Sequence, residues 1–547
     1  MMAKKAHRRF GTFAEVRENL TRLLEDIRAP SYRSFFRELL SPGVSLTVAA
    51  VLVLGILFIA FLSLDRNVRE EAQRDQTLDR LGMPVDPNPR IAVLPLVHLG
   101  LNQQDGILGE GLTDSLITRL ARVRRLSVIS RPSVMYFQGK DLALPEIAKK
   151  LQADYILSGS FQRPGNEVVV AVQLVRTDDD TTVWAREYRQ AWTNVQRVQS
   201  DISQQVVENI NLALGPEEEA AIRGSPVDNV GAYELYLHGR FFLAQRSRAS
   251  LETAVSYFQR AIALDSESAL AYSALADAYA LLGATGYGGL PPVEVMPKAE
   301  QAARKALSSD GNSAEAHTSL ASTLMSYYWD WEGSEKHFKT ALRLNPGYST
   351  ARHWYGLYLA ATNDLEGALR EIGVARRLDP LSPAANAALA RCLYYRREYN
   401  AAVPLFERAL ELDPDFGPAH LGLALAYLKK YEHSDSRIEQ MSLFVSSISE
   451  FEKGVAAPVD VFAFVNSLMA SPTSPAAEQE WEDQFPPVFF AIAYTILGES
   501  SQALAWLDRA FEERSEYLVF LGVDPIFDKL RGDPEFAALI EKIGLGT

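Results

Sequence analysis

The sequence predicts a multi-domain protein built from one membrane-spanning helix, a small α/β domain and an all-helical repeat superhelix. Three observations predict it. Residues 45–64 form an uncharged apolar run, residues 91–214 mix strand-like and helix-like periodicities, and Pro346, Pro380 and Pro414 stand 34 residues apart. With 547 residues the chain is too long for one core, because single domains usually hold about 100–200 residues.

Ser45 to Leu64 reads SLTVAAVLVLGILFIAFLSL, with no charged residue between Glu38 and Asp65. At a helical rise of 1.5 Å per residue this run matches a hydrocarbon core of about 30 Å, and it exceeds the apolar segment of a secretory signal. Residues 1–40 carry nine Lys/Arg against five Asp/Glu, which leaves −18 of the total −14 for the rest of the chain. The asymmetry predicts a cytoplasmic N-terminus and a C-terminal body across the membrane. In the tail, residues 1–44, Phe13, Val16, Leu20, Leu23 and Ile27 are spaced three and four apart. That spacing predicts an amphipathic helix, which rests on lipid or docks a cytoplasmic partner.

A polar linker, 65–90, closes with Pro84, Pro87 and Pro89. Beyond it, strands are expected at Ile91–Val97, Leu126–Ser130, Tyr155–Gln162, Glu167–Val175 and Thr182–Tyr188, and helices at Gly109–Val123, Leu142–Leu151 and Val195–Leu214. Pro164-Gly165-Asn166 and Asp178-Asp179-Asp180 supply turns. Gly109 and Gly111 lack the third glycine of a dinucleotide fingerprint, and Glu110 puts a negative charge where phosphate would bind. Turn geometry is the expected reason for both.

The segments IAVLPL, GEGLTDSLITRLARVRRLSVISRPSV, FQGKD, EIAKKLQADYILSGSFQR, VVVAVQLV and TVWAREY span residues 91–214. Together they resemble the TolB-like N-terminal domain, which in bacteria often sits between a membrane helix and helical repeats, in CadC-type regulators and some membrane adenylate cyclases. The resemblance implies a non-catalytic, periplasmic sensory or interaction domain and a single-pass protein of the bacterial inner membrane.

From residue 231 to 547 the chain repeats. ALRLNP, ARRLDP and ALELDP recur with the period of tetratricopeptide repeats. Small residues fall on Gly356, Ala368 and Ala375 with Ile372 in the large slot, then on Ala390, Ala402 and Ala409 with Phe406. Degenerate units flank these, giving about seven helix pairs with an insert at Gly283–Pro297 and an irregular stretch near 455–486. Such an array has a concave inner face suited to a peptide or partner helix. Trp354, Arg391 and Tyr395 are the expected partner-binding residues, since Trp354 and Arg391 fall on inward first-helix positions and Tyr395 lies at the end of its helix.

Chemistry is not expected. The eight histidines form no H-E-x-x-H and no i, i+4 pair, no G-x-S-x-G occurs, and the one cysteine, Cys392, lies on a packing period. The reading is therefore not an enzyme, with no catalytic, metal or cofactor residues. A pI near 5.2 argues against nucleic acid as partner, because phosphate contacts need clustered Lys and Arg. Tyr327, Tyr328, Trp329 and Trp331 are expected to pack between helices. Two functions follow: a membrane-anchored scaffold whose repeats hold a protein, or a receptor subunit that acts through a separate cytoplasmic effector. Only some 44 residues precede the apolar run, too few for an effector domain of about 100 residues.

Overall fold

The computed structural model describes residues 87–546, except 101–102, 141, 224–228, 285–286, 288, 455–462, 465–466, 469–477, 480 and 483. The tail, the apolar run at 45–64 and most of the linker lie outside the described residues, as does much of the irregular stretch near 455–486. Among the described residues no helix is long and apolar enough to cross a membrane.

The α/β part opens with β1 (Arg90–Val93) and β2 (Val97–His98), then α1 (Gln103–Leu120), β3 (Ser127–Val128), α2 (Arg131–Met135) and α3 (Leu144–Leu151). It continues through β4 (Tyr155–Gln162), β5 (Glu167–Arg176), β6 (Thr181–Ala191), α4 (Val195–Asn209) and α5 (Pro216–Arg223). The sheet order is β3-β1-β4-β5-β6, with β2 also on β4. β1 runs parallel to β3 and β4, whereas β4, β5 and β6 are antiparallel. The pattern explains the difference. Ile91, Ala92 and Val93 are all buried, as a parallel strand requires, while in β5 Val168, Val170, Val172 and Leu174 alternate with more exposed residues. Gly165 takes φ +67° in the turn that joins β4 to β5.

Gly109 and Gly111 do not mark a turn. Both lie within α1, where a Cβ on Gly109 would stand 3.2 Å from the Phe161 ring and one on Gly111 would stand 2.8 Å from Leu237. They are small because the sheet and the first repeat helix approach α1 there.

Seven helix pairs follow among the described residues. They are α6 (Val230–Ala244) with α7 (Arg248–Leu264), α8 (Ala269–Gly283) with α9 (Pro292–Ser309), and α10 (Ala314–Thr323) with α11 (Trp331–Leu344). Next come α12 (Ser349–Ala361) with α13 (Leu365–Leu378), α14 (Pro383–Tyr395) with α15 (Tyr399–Leu412), α16 (Gly417–His433) with α17 (Arg437–Gly454), and α18 (Pro487–Leu497) with α19 (Ser500–Glu512). Ser247, Ser268, Ser313, Asp330, Asp364 and Ser382 cap their helices by accepting from the third backbone N–H of the first turn. The small slot at Gly356 meets the large slot at Ile372 as expected, a Cβ there lying 2.4 Å from Ile372, and Gly422, which the pattern does not single out, approaches Phe406 in the same way at 2.3 Å. The expected insert is shorter than Gly283–Pro297, because α9 already begins at Pro292 and carries Pro297 inside it.

The α/β part and the repeats share a core. Tyr233 and Leu237 of α6, and Leu381 before α14, are buried with the sheet residues. The proline-marked turns form the seam. Ser130 N donates to Leu378 O at 2.7 Å, Arg90 Nη2 to Arg377 O at 2.7 Å, and Gly347 N to Ala121 O at 3.2 Å. Ser133 donates through N and Oγ to Asp379 Oδ1, at 3.1 and 2.5 Å, and its Oγ accepts from Leu381 N at 2.8 Å. Arg240 pairs with the buried Asp114 at 2.6 Å.

The array also closes on itself. After α19 the chain makes two 3₁₀ turns, Glu516–Phe520 and Pro525–Leu530, and ends in α20 (Pro534–Lys542). Trp329 stacks on Phe511 at 4.9 Å with the Arg514 guanidinium 4.2 Å above it, and Trp331 Nε1 donates to Ile543 O at 2.7 Å. The Tyr327–Trp331 aromatic group thus packs against the returning C-terminal segment.

Candidate functional site

His353, Trp354 and Leu357 of α12 and Ala387, Ala388 and Arg391 of α14 recur at helical spacing and share one face, which turns to the inside of the superhelix. There they line a cavity of about 210 Å³. The cavity, which is partly open, is lined on the other side by Leu425, by Ile492 of α18, and by Tyr517 and Phe520 of the first 3₁₀ turn. Ser322 reaches it too, but Thr318 and Ser319 do not serve it: Thr318 Oγ1 donates to Ala314 O, and Ser319 Oγ donates to Asp277 in a very short bond.

Trp354 and Arg391 therefore stand where the repeat arithmetic puts them, on the inner face. Tyr395 is different. It is 1% exposed and stacks on Phe520 at 5.5 Å, so it offers no surface to a partner while the C-terminal segment is seated. The expected open trough is filled by the chain itself, because residues 516–530 fold back across it. Asp524 anchors that return. Fully buried, it accepts from Tyr394 OH at 2.9 Å, Tyr517 OH at 2.5 Å and Ile526 N at 2.9 Å, and burial raises its carboxyl above the usual carboxylate range. Arg397 adds an ion pair to Asp528 at 2.8 Å. Phe520, Tyr517 and Asp524 were not predicted as site residues; the one signal for them is the Asp524-Pro525 pair, a start signal for a helical turn.

Arg391 is unusual in its surroundings. Among the described residues no carboxylate lies within ion-pair distance of it, and its guanidinium sits 5.9 Å from the Phe520 ring. The Tyr395 and Tyr517 phenols and Glu516 influence it from nearby and raise its pKa against the cost of burial. Beside it, burial followed by the charges of Arg246 and Arg391 pushes the His353 imidazole down to about 3, so this ring is neutral. Cys392, on the same helix, is fully buried, and burial pushes its thiol up to about 12, which fits an inert packing group.

The other histidines pair locally. His317 and His337 bring their Nδ1 atoms to 2.7 Å, and burial and His317 push His337 down to about 4. His420 bonds Glu450 at 2.6 Å and Pro414 O at 2.8 Å. Among the described residues no three His, Cys, Asp or Glu side chains gather as a metal site.

Comparison with known proteins places the two parts. The family model described as the second domain of HilA/YgeH-like transcriptional regulators matches residues 88–206, and a tetratricopeptide repeat model matches 330–383 and 387–442. The chain is 27% identical over 238 residues to putative adenylate cyclase 3 of Rhizobium meliloti, covering 43% of this chain and 40% of that protein. It is 23% identical over 354 residues to the transcriptional regulator HilA of Salmonella typhimurium, covering 64% of this chain and 63% of that one. The chain thus spans between two fifths and two thirds of the length of these relatives. Among solved structures the chain is similar to a thermophilic tetratricopeptide protein of Thermus thermophilus at 18% identity and TM-score 0.31, covering 36% of this chain and 99% of that one, and to pilF of Pseudomonas aeruginosa at 18% and 0.30, covering 47% and 98%.

Proposed function

We propose that this protein is a membrane-anchored, non-catalytic interaction module that binds a protein partner and passes a signal to a separate effector. Residues 45–64 are its anchor in a bacterial inner membrane, the tail 1–44 is cytoplasmic, and the TolB-like α/β part and the repeats lie in the periplasm. One observation carries the reading: the α/β part and the repeat array are joined through shared core residues and the proline-marked turns, so whatever engages one part bears on the other. The two relatives carry names with unlike outputs, a cyclase and a transcriptional regulator, and the chain spans only part of each. Similarity to proteins with different outputs, each matched over only part of its length, fits the input side of such systems. A plain envelope scaffold is the second reading, favoured by the repeat fold. The acidic pI of about 5.2 argues for protein rather than nucleic acid as partner.

Because the inner face is filled, a protein partner is expected on outer surfaces such as that around Val445, 53% exposed on α17. The test uses the full chain in its own membrane. A C-terminal alkaline phosphatase fusion should be active and a fluorescent fusion that folds only in the cytoplasm dark. A photo-crosslinking residue at Val445 should then give one discrete protein adduct. An adduct that links onward to a cytoplasmic regulator or cyclase supports signalling, whereas envelope proteins alone support the scaffold. An inactive phosphatase fusion overturns the topology.

A further inference from the structure

We propose that the cavity inside the repeat superhelix binds a small monocarboxylate with an aromatic or medium-length aliphatic body, its carboxylate held by Arg391. The inference is independent of any protein partner. It begins with the cavity wall. Arg391 lines the cavity and, among the described residues, makes no ion pair, the cost of its burial being offset by the Tyr395 and Tyr517 phenols and by Glu516 from beyond ion-pair distance. Two acids share this wall: Asp524 is held by two phenols and a backbone N–H, and Glu516 acts on Arg391 without coming into ion-pair range. What Arg391 leaves accessible is therefore cavity wall.

The rest of the wall selects the ligand. Trp354, Leu357, Leu425, Ile492 and Phe520 are apolar or aromatic and suit a hydrocarbon body, while the hydroxyls of Ser322 and Tyr517, the Trp354 indole N–H and the His353 ring nitrogens are the neutral polar groups of the wall. No hydrogen bond engages those nitrogens among the described residues, and the neutral ring suits a single N–H···O contact. A planar fork beside neutral donors matches a carboxylate, and with Glu516 and Asp524 in the same wall a single negative charge suits the site better than a phosphate dianion. Volume sets the size. At about 210 Å³ the cavity exceeds the roughly 150 Å³ that accommodates benzene by room for a carboxyl group and a short chain. A peptide does not fit, since residues 516–524 already occupy the rest of the trough.

The experiment is calorimetric titration of the full chain in lipid nanodiscs with 3-phenylpropionate and octanoate, beside their neutral amides. Both acids should bind saturably with Kd below ~1 mM, and the amides should bind roughly 30-fold more weakly or not at all. Arg391→Met, which keeps the volume, should lose the acids by a similar factor and leave the amides unchanged. Met325→Trp, which fills the cavity from another wall, should abolish all binding. Equal binding of acid and amide to the unaltered chain overturns the proposal without any variant, as does the absence of binding by both acids. Retained acid binding in a folded Arg391→Met chain overturns the role of Arg391.

Discussion

Replacing Ser133 by Ala tests how the α/β part is joined to the repeats. The Ser133 hydroxyl donates to Asp379 Oδ1 at 2.5 Å and accepts from Leu381 N at 2.8 Å, and Ser133, Asp379 and Leu381 are 0%, 6% and 8% exposed. Water therefore cannot take over either bond. A hydrogen bond to a charged group contributes about 1.5–3 kcal/mol and an orphaned buried N–H costs about 1–3, so Ser133→Ala should destabilise by about 3 kcal/mol. The pH dependence has a definite sign. Burial pushes the Asp379 carboxyl up to about 6, and the Ser133 hydrogen bond is the largest influence pulling it back. A raised folded pKa means stability that is present in acid and lost as pH rises through that value, so removing Ser133 should hurt more at pH 7.5 than at pH 5. Urea unfolding of the full chain, followed by circular dichroism at both pH values, supplies the numbers. A cycle with Asp379→Ala should give a coupling of at least about 1.5 kcal/mol. Coupling below about 0.5 kcal/mol, with equal losses at both pH values, would refute the seam described above.

Phe520→Ala removes a ring that is 7% exposed and stacked on Tyr395, and should cost about 3 kcal/mol in thermal or urea melting; an unchanged melt would mean that the C-terminal segment is not seated in the trough. His353 is pushed down to about 3 from an ordinary 6.5, so the stability it contributes is present above pH 6.5 and falls in acid, by about 2 kcal/mol at pH 5. His353→Gln should flatten the acid limb of melting temperature against pH, and an unaltered limb would count against the buried neutral ring. Cys392, fully buried with its thiol pushed up to about 12, should react with maleimide at pH 8 only after denaturant is added; rapid labelling of the folded chain would place it at a surface.

Local pattern made most elements legible and their ends less so. The alternation of Val168, Val170, Val172 and Leu174 is enough to define β5, and the small and large slots at Gly356, Ile372 and Phe406 define two helix pairs. The helix expected over Val195–Leu214 ends at Asn209 because Asn211 takes φ 60°, a left-handed conformation that the apolar spacing does not foretell. Gly109 and Gly111 were misread for a related reason. Their smallness answers to Phe161 and Leu237, which are brought up by tertiary packing, whereas a sequence window sees only the strand before them and the helix after. The seam lies further out of reach, since Ser133 and Asp379 are 246 positions apart and neither belongs to any local motif.

The candidate site divides along the same line. A 34-residue period fixes which helix positions face inward, and it is enough to put Trp354 and Arg391 on the inner face. The period does not say what stands opposite. LVFLGVDPIFDKL has no helical repeat and becomes two 3₁₀ turns only because Asp524 finds the phenols of Tyr394 and Tyr517. That return changes the chemistry of the face. On an open concave surface Arg391 would be hydrated, and an exposed ion pair there would contribute at most about 1 kcal/mol. Under Phe520 and Tyr517 the same guanidinium is partly buried and, among the described residues, makes no ion pair, so an incoming carboxylate meets a charge that has already lost part of its water. The C-terminal segment thus removes the surface a peptide would use and, in doing so, leaves a partly covered pocket with Arg391 in its wall, of a size that a small acid would need.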